Sequence, residues 1–177
     1  MVSTKLTYAD YLALPGDERY ELHDGELVLV ASPSEPHQRV SKRLALQMLS
    51  VEEHGLGQVY YAPLDVILSD TEVVQPDLLF VSQERSHIIT HANVQGAPDL
   101  VVEILSPSTA NRDWTYKRDL YARHGVKELW IVDPDARIVW VMLLRDGDFE
   151  LVGVYGEGQS FSSSTLESLT IDLSNTF

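Results

Sequence analysis

The chain has 177 residues, 44% of them hydrophobic and 23% charged, with 27 acidic against 13 basic side chains and a net charge of −14. That length suffices for a single domain over residues 1–177, with a substantial core, and the composition is that of an ordinary globular protein. The lack of cysteine excludes disulfides and thiolate metal sites, no apolar run approaches the roughly 20 residues of a membrane span, and the acidity argues against non-specific, charge-driven binding to nucleic acid.

Met1 to Asp10 is polar and has no apolar segment of the kind a secretory leader carries, so the cytoplasm is the simplest location and a prokaryotic one fits. Thr7 can cap a short helix from Tyr8 to Leu14, with Asp10 in its first turn and Pro15-Gly16 ending it. Tyr20 to His23 and Glu26 to Val30 flank Asp24-Gly25, a strong hairpin signal. From His37, the spacing of Val40, Leu44, Met48 and Val51 predicts an amphipathic helix ending at Gly55. Strands follow over Gln58–Tyr61, Leu64–Leu68 and Val73–Val81, the last with Pro76-Asp77 inside it, which implies an edge, a bulge or a bend. Gln83 to Gly96 reads as loop with some helix. Leu100 to Leu105 is almost wholly apolar, as a strand covered on both faces should be. A helix over 113–124 and a strand over Leu129–Val132 complete a βαβ unit. A meander follows through Ile138–Leu144 and Phe149–Tyr155, then a loop over Gly156–Ser164 and a short closing strand over Leu166–Leu173.

Eight of the 13 basic residues fall in two segments: Arg39, Lys42 and Arg43, then Arg112, Lys117, Arg118, Arg123 and Lys127. The field is therefore expected to be dipolar, with plain helix-surface decoration as the competing explanation. Three carboxylates stand in or beside apolar strands: Asp65, Asp77 and Glu103. Acids on adjacent strands can converge on one point, and converging carboxylates need a cation or a proton between them. A hard divalent cation such as Mg²⁺ meets that need; the alternative is that each acid sits at a strand end in solvent. Asp113, Lys117 and Tyr121 recur at helical spacing. Either Asp113 and Lys117 form a solvated ion pair, or Lys117 lies over the strand end that carries Glu103. His37 and Glu21 could support a site, though a capping or surface role is as available to each. There is no phosphate-binding glycine loop, catalytic triad or zinc spacing.

Gln75-Pro76-Asp77 followed by Val102-Glu103-Ile104-Leu105 resembles the PD-(D/E)XK nuclease superfamily. More closely, the chain resembles the bacterial Uma family of proposed restriction endonucleases. The matching pieces are Tyr20-Glu21-Leu22, Asp24-Gly25-Glu26-Leu27, His37, Val74 to Asp77, Ala97 to Thr109, Asp113, Lys117, Tyr121, Gly125-Val126 and Trp130 to Pro134. The resemblance implies an α/β, restriction-endonuclease-like fold: a mixed central sheet flanked by helices, with a core of helix, three strands, helix, strand, here preceded by an N-terminal hairpin. It implies a Mg²⁺-dependent endonuclease, with Mn²⁺ as a substitute, hydrolysing DNA. Asp77 and Glu103 would hold the metal and Lys117 would complete the catalytic set. Glu21, His37, Asp65, Asp113 and Tyr121 are supporting or substrate candidates, and Arg39, Lys42 and Arg43 are candidates to contact DNA. Many nucleases of this fold pair, so a homodimer is an arrangement to test. Leu105 departs from the superfamily, which usually has lysine there; Lys117 looks like the migrated replacement. The alternative is a degenerate relative that binds nucleic acid or protein without cutting. For Lys117, the expectation is an ammonium group close to Glu103, and an alanine variant that keeps both fold and Mg²⁺ binding.

Overall fold

The computed structural model describes residues 5–16, 18–106, 113–166 and 169–177, without the side chain of Asp113. Pro107-Ser108-Thr109, Arg112 and any contact of the Asp113 carboxylate therefore lie outside the described residues. Thr7 caps α1 (Tyr8–Leu12) through a reciprocal capping box with Asp10. β1 (Tyr20–His23) and β2 (Glu26–Leu29) form the expected antiparallel hairpin. Its turn residues Asp24 and Gly25 both have positive φ, 49° and 79°, as a two-residue turn between twisted strands requires.

Helices α2 (Glu35–Met48) and α3 (Ser50–Glu53) come next, followed by β3 (Gly57–Tyr61), β4 (Val66–Ser69), β5 (Glu72–Val74) and β6 (Leu78–Ser82). A 3-10 helix spans Gln83–Ile88, and β7 (Val94–Gln95) and β8 (Leu100–Ile104) follow. A π-helical turn, Asp113–Lys117, leads into α4 (Arg118–His124), and the chain continues through β9 (Glu128–Asp133), β10 (Ile138–Arg145), β11 (Asp148–Gly156), β12 (Ser160–Ser162) and β13 (Thr170–Asp172).

The central six-stranded sheet has the order β11-β10-β9-β8-β6-β3, and a five-stranded sheet has the order β2-β1-β5-β4-β7. Within the central sheet β8 and β9 are parallel while β3–β6 and β6–β8 are antiparallel. The elements α2, β3, β6, β8, α4 and β9 thus supply the expected helix, three strands, helix, strand. Side-chain alternation explains why β8 is apolar throughout. Leu100, Val102 and Ile104 pack with Val40, Leu44 and Met48 of α2, while Val101 and Leu105 pack with Leu120 and Tyr121 of α4. Glu103 has the parity of Val101, so it points to the α4 face.

Four expectations need correction. The strand expected over Val73–Val81 is two strands in different sheets, β5 and β6. Pro76 has no N–H to give a ladder, and the chain changes sheets across Gln75-Pro76-Asp77. Asp65 lies just before β4 rather than inside a strand. The single helix expected over 113–124 begins as a π-helical turn and becomes α-helical at Arg118; the wider turn shifts the phase of Lys117 against Asp113, as such insertions often do at functional sites. The expected loop over Gly156–Ser164 and closing strand over Leu166–Leu173 contain a short antiparallel pair, β12 with β13. Among the described residues no helix is long and apolar enough to cross a membrane.

Candidate active site

The strand register begins the assembly. β6 and β8 pair with Leu78 opposite Val102, and Asp77, in the bend just before β6, stands at the end of this pairing. The Ile104 N–H donates to Asp77 Oδ2 at 2.7 Å, fixing that carboxylate against β8. His37, one residue past the helix-starting Pro36, brings Nε2 to 3.3 Å from Asp77 Oδ1.

Lys117 and Tyr121 reach Glu103 from the other direction. Lys117 Nζ donates to Glu103 Oε1 and Oε2, each at 3.2 Å, and lies 2.9 Å from Glu21 Oε1. The Tyr121 hydroxyl donates to Glu103 Oε1 at 2.5 Å. The Gln75 N–H donates to Glu21 Oε1 at 2.8 Å, and His23 Nε2 lies 3.0 Å from Glu21 Oε2. Glu21, Glu103 and Lys117 are all buried. The buried position of Lys117 between Glu21 and Glu103 rules out the reading of a lysine on a wet helix face.

These groups open on a cavity of about 900 Å³ that Glu21, His37, Gln75, Asp77, Glu103 and Lys117 line. Arg19, Arg39, Lys42 and Arg43 also line it. Asp65 does not: it accepts from Tyr11 at 3.1 Å and from Gln75 at 2.8 Å, so it bears on the cavity only through Gln75. Sequence reasoning missed Arg19, Gln75 and His23. The signal for His23 was its i,i+2 spacing from Glu21, which puts both on one face of β1. Other buried acids are structural. Asp99 is held by Arg85, Lys127 and the Ser82 N–H, and Glu128 by Trp130, Ser163 and the Thr165 N–H. Neither lines the cavity.

Burial pushes the Glu21 carboxyl up, but the Lys117 ammonium, His23 and the Gln75 N–H together pull it down further, to about 2. Its folded pKa lies below the unfolded value, so its stabilising contribution is complete above about pH 4.5 and is lost as pH falls toward about 2. Acid denaturation of the wild type should therefore steepen below about pH 4.5, by up to about 3 kcal/mol in all. Glu21→Gln should flatten that dependence in urea titrations run at several pH values. An identical pH slope in the two proteins would show that Glu21 is not the group responsible.

The donors fit one kind of metal. Mg²⁺ is held by one or two carboxylates and keeps several waters, and Asp77 and Glu103 bring hard oxygen donors to one cavity of about 900 Å³. Among the described residues no three His, Cys, Asp or Glu side chains gather as a ligand cluster.

Residues 8–174 match the model of the Uma2 family, whose description is "Putative restriction endonuclease". The chain belongs to the Uma2 family. A crystal structure titled as "a putative nuclease belonging to DUF820 from Anabaena variabilis ATCC 29413" has the same fold, with a TM-score of 0.80, 21% identity and coverage of 97% of each chain. Among curated proteins, none matches the chain. The Uma2 assignment bears out the resemblance drawn from Asp77, Glu103 and the residues around them.

Proposed function

We propose that this member of the Uma2 family is a metal-dependent nuclease that hydrolyses DNA phosphodiester bonds, with Asp77, Glu103 and Lys117 as its reactive centre. The observation that carries the reading is that Asp77, Glu103 and the buried Lys117, which pairs with Glu103, line one cavity together with Arg19, Arg39, Lys42 and Arg43. Asp77 and Glu103 would hold Mg²⁺ or Mn²⁺. When bound, that ion would supply a water of lowered pKa and offset charge on the phosphate. The chain's own residues do the rest. Tyr121 fixes the orientation of Glu103, and the Ile104 N–H with His37 fixes Asp77. Glu21 and Glu103 hold the Lys117 ammonium in place, so its positive charge lies next to the cavity where negative charge would develop on a phosphate.

A non-cutting relative is the second reading. What favours it is that Glu103 is already engaged by both Lys117 and Tyr121. Two measurements separate the readings. Supercoiled plasmid incubated with wild-type protein and Mn²⁺ should be nicked or linearised, and intact plasmid across several DNA substrates would favour the non-cutting relative. Mg²⁺ or Mn²⁺ should also raise the melting temperature, by linkage to the native state, and Asp77→Asn should remove that rise. A rise that persists in the asparagine variant would place the metal elsewhere.

A further inference from the structure

Seven large hydrophobic side chains are exposed among the described residues, and three of them line the cavity of the candidate site: Leu29 at 59%, Leu46 at 66% and Tyr61 at 64%. They come from three different elements, β2, α2 and β3. Exposed apolar residues scattered singly need no explanation, but a group that converges on a cleft marks a binding surface. Tyr61 is also close to the reactive centre along the backbone. The next residue, Ala62, donates its N–H to the Asp77 carbonyl at 3.1 Å.

The charges around this apolar wall are few. Arg19 and Lys42 have no ion pair among the described residues, while Arg39 lies 3.5 Å from Glu35 and Arg43 donates to the Phe177 carbonyl at 3.1 Å. Duplex DNA hides its base faces in its own stack and is gripped through many phosphates, each needing a cation. A chain of net charge −14 with a small basic rim is poorly equipped for that. An unpaired strand carries a lower charge density and offers base faces that stack on aromatic rings and pack on aliphatic ones. Together the apolar wall and the sparse basic rim match that ligand.

We infer that the substrate of this site is an unpaired DNA strand. Its bases stack on Tyr61 and pack against Leu29 and Leu46, and its phosphates meet Arg19 and Lys42. The inference rests on the nuclease reading above and adds the substrate class. The test measures binding by fluorescence anisotropy in EDTA, using labelled oligo(dT) and a labelled duplex of equal length, with Mn²⁺-dependent cleavage of both followed in parallel. Oligo(dT) should bind about tenfold or more tightly than the duplex, Tyr61→Ala should lose about tenfold, and Tyr61→Phe should retain binding. Because Tyr61 is largely exposed, the alanine variant is expected to fold. Equal or tighter duplex binding, unaffected by Tyr61→Ala, overturns the inference, as does no binding of either DNA. So does a change in sedimentation on Tyr61→Ala or Leu46→Ser without any change in binding, which would make the wall a self-association face. Duplex cleavage that survives Tyr61→Ala overturns the inference and leaves the nuclease reading standing. Tyr61-dependent binding of single strands with no cleavage of either DNA overturns the nuclease reading and leaves the unpaired strand as the ligand of this wall, no longer as a substrate.

Discussion

Replacing Lys117 with alanine is expected to destabilise the protein by about 3–5 kcal/mol and to abolish metal-dependent DNA cleavage. The sequence alone implied a variant with its fold intact. The structure alters that expectation, because the lysine is 6% exposed and lies within 3.2 Å of two buried carboxylates. Without its ammonium, Glu21 and Glu103 face each other across a buried gap with no cation between them, and one must protonate or draw in solvent. Two consequences distinguish this from simple loss of packing. Lys117→Ala combined with Glu21→Gln should recover part of the lost stability, since one of the stranded charges is gone. Mg²⁺ should stabilise Lys117→Ala more than the wild type, because the cation then offsets repulsion as well as binding. Lys117→Arg should not restore activity: a guanidinium is wider than an ammonium and stays charged, and this site is built around a point cation. Urea titrations with and without Mg²⁺ measure all of this. A destabilisation below about 0.5 kcal/mol would be that of an exposed helix pair and would contradict the buried geometry.

Glu103→Gln is expected to reduce cleavage by about a thousandfold or more while costing only about 1–3 kcal/mol of stability. Glutamine keeps the size of the side chain and can still accept from Tyr121. It loses the charge that pairs with Lys117 and would hold the metal, and its amide group adds a donor next to donors. A loss of several kcal/mol of transition-state stabilisation corresponds to about three powers of ten in rate. Single-turnover cleavage of a labelled DNA, with circular dichroism as a check on folding, gives both numbers. Cleavage that survives in both Glu103→Gln and Lys117→Ala would belong to a contaminant or to another site.

Much of this was legible in the residues. Asp24-Gly25 set the hairpin, the unbroken apolar run of Leu100 to Leu105 marked a central strand, and a lone Glu103 inside it called for a partner. Helical spacing put Lys117 and Tyr121 on one side, and both do reach Glu103. What stayed hidden depended on long-range packing. Pro76 signalled a bend, but not that β5 and β6 would enter different sheets. Glu21 could not be placed against Lys117, because a separation of nearly a hundred residues carries no local signal. Asp65 looked like Asp77 in pattern, yet tertiary packing turned it toward Tyr11 and Gln75. Buried acids such as Asp99 and Glu128 show that burial alone does not mark a site; Asp99 is ion-paired with Lys127, and Glu128 is hydrogen-bonded by Trp130 and Thr165, within the scaffold.

The central claim is that Asp77 and Glu103 together hold a divalent cation beside Lys117. Anomalous diffraction from crystals soaked in Mn²⁺ tests it most directly. The account predicts a manganese peak in contact with carboxylate oxygens of both Asp77 and Glu103, absent from Asp77→Asn crystals treated the same way. Ordered crystals with no peak at that pair under saturating Mn²⁺, or with the peak bound to other residues, would contradict it.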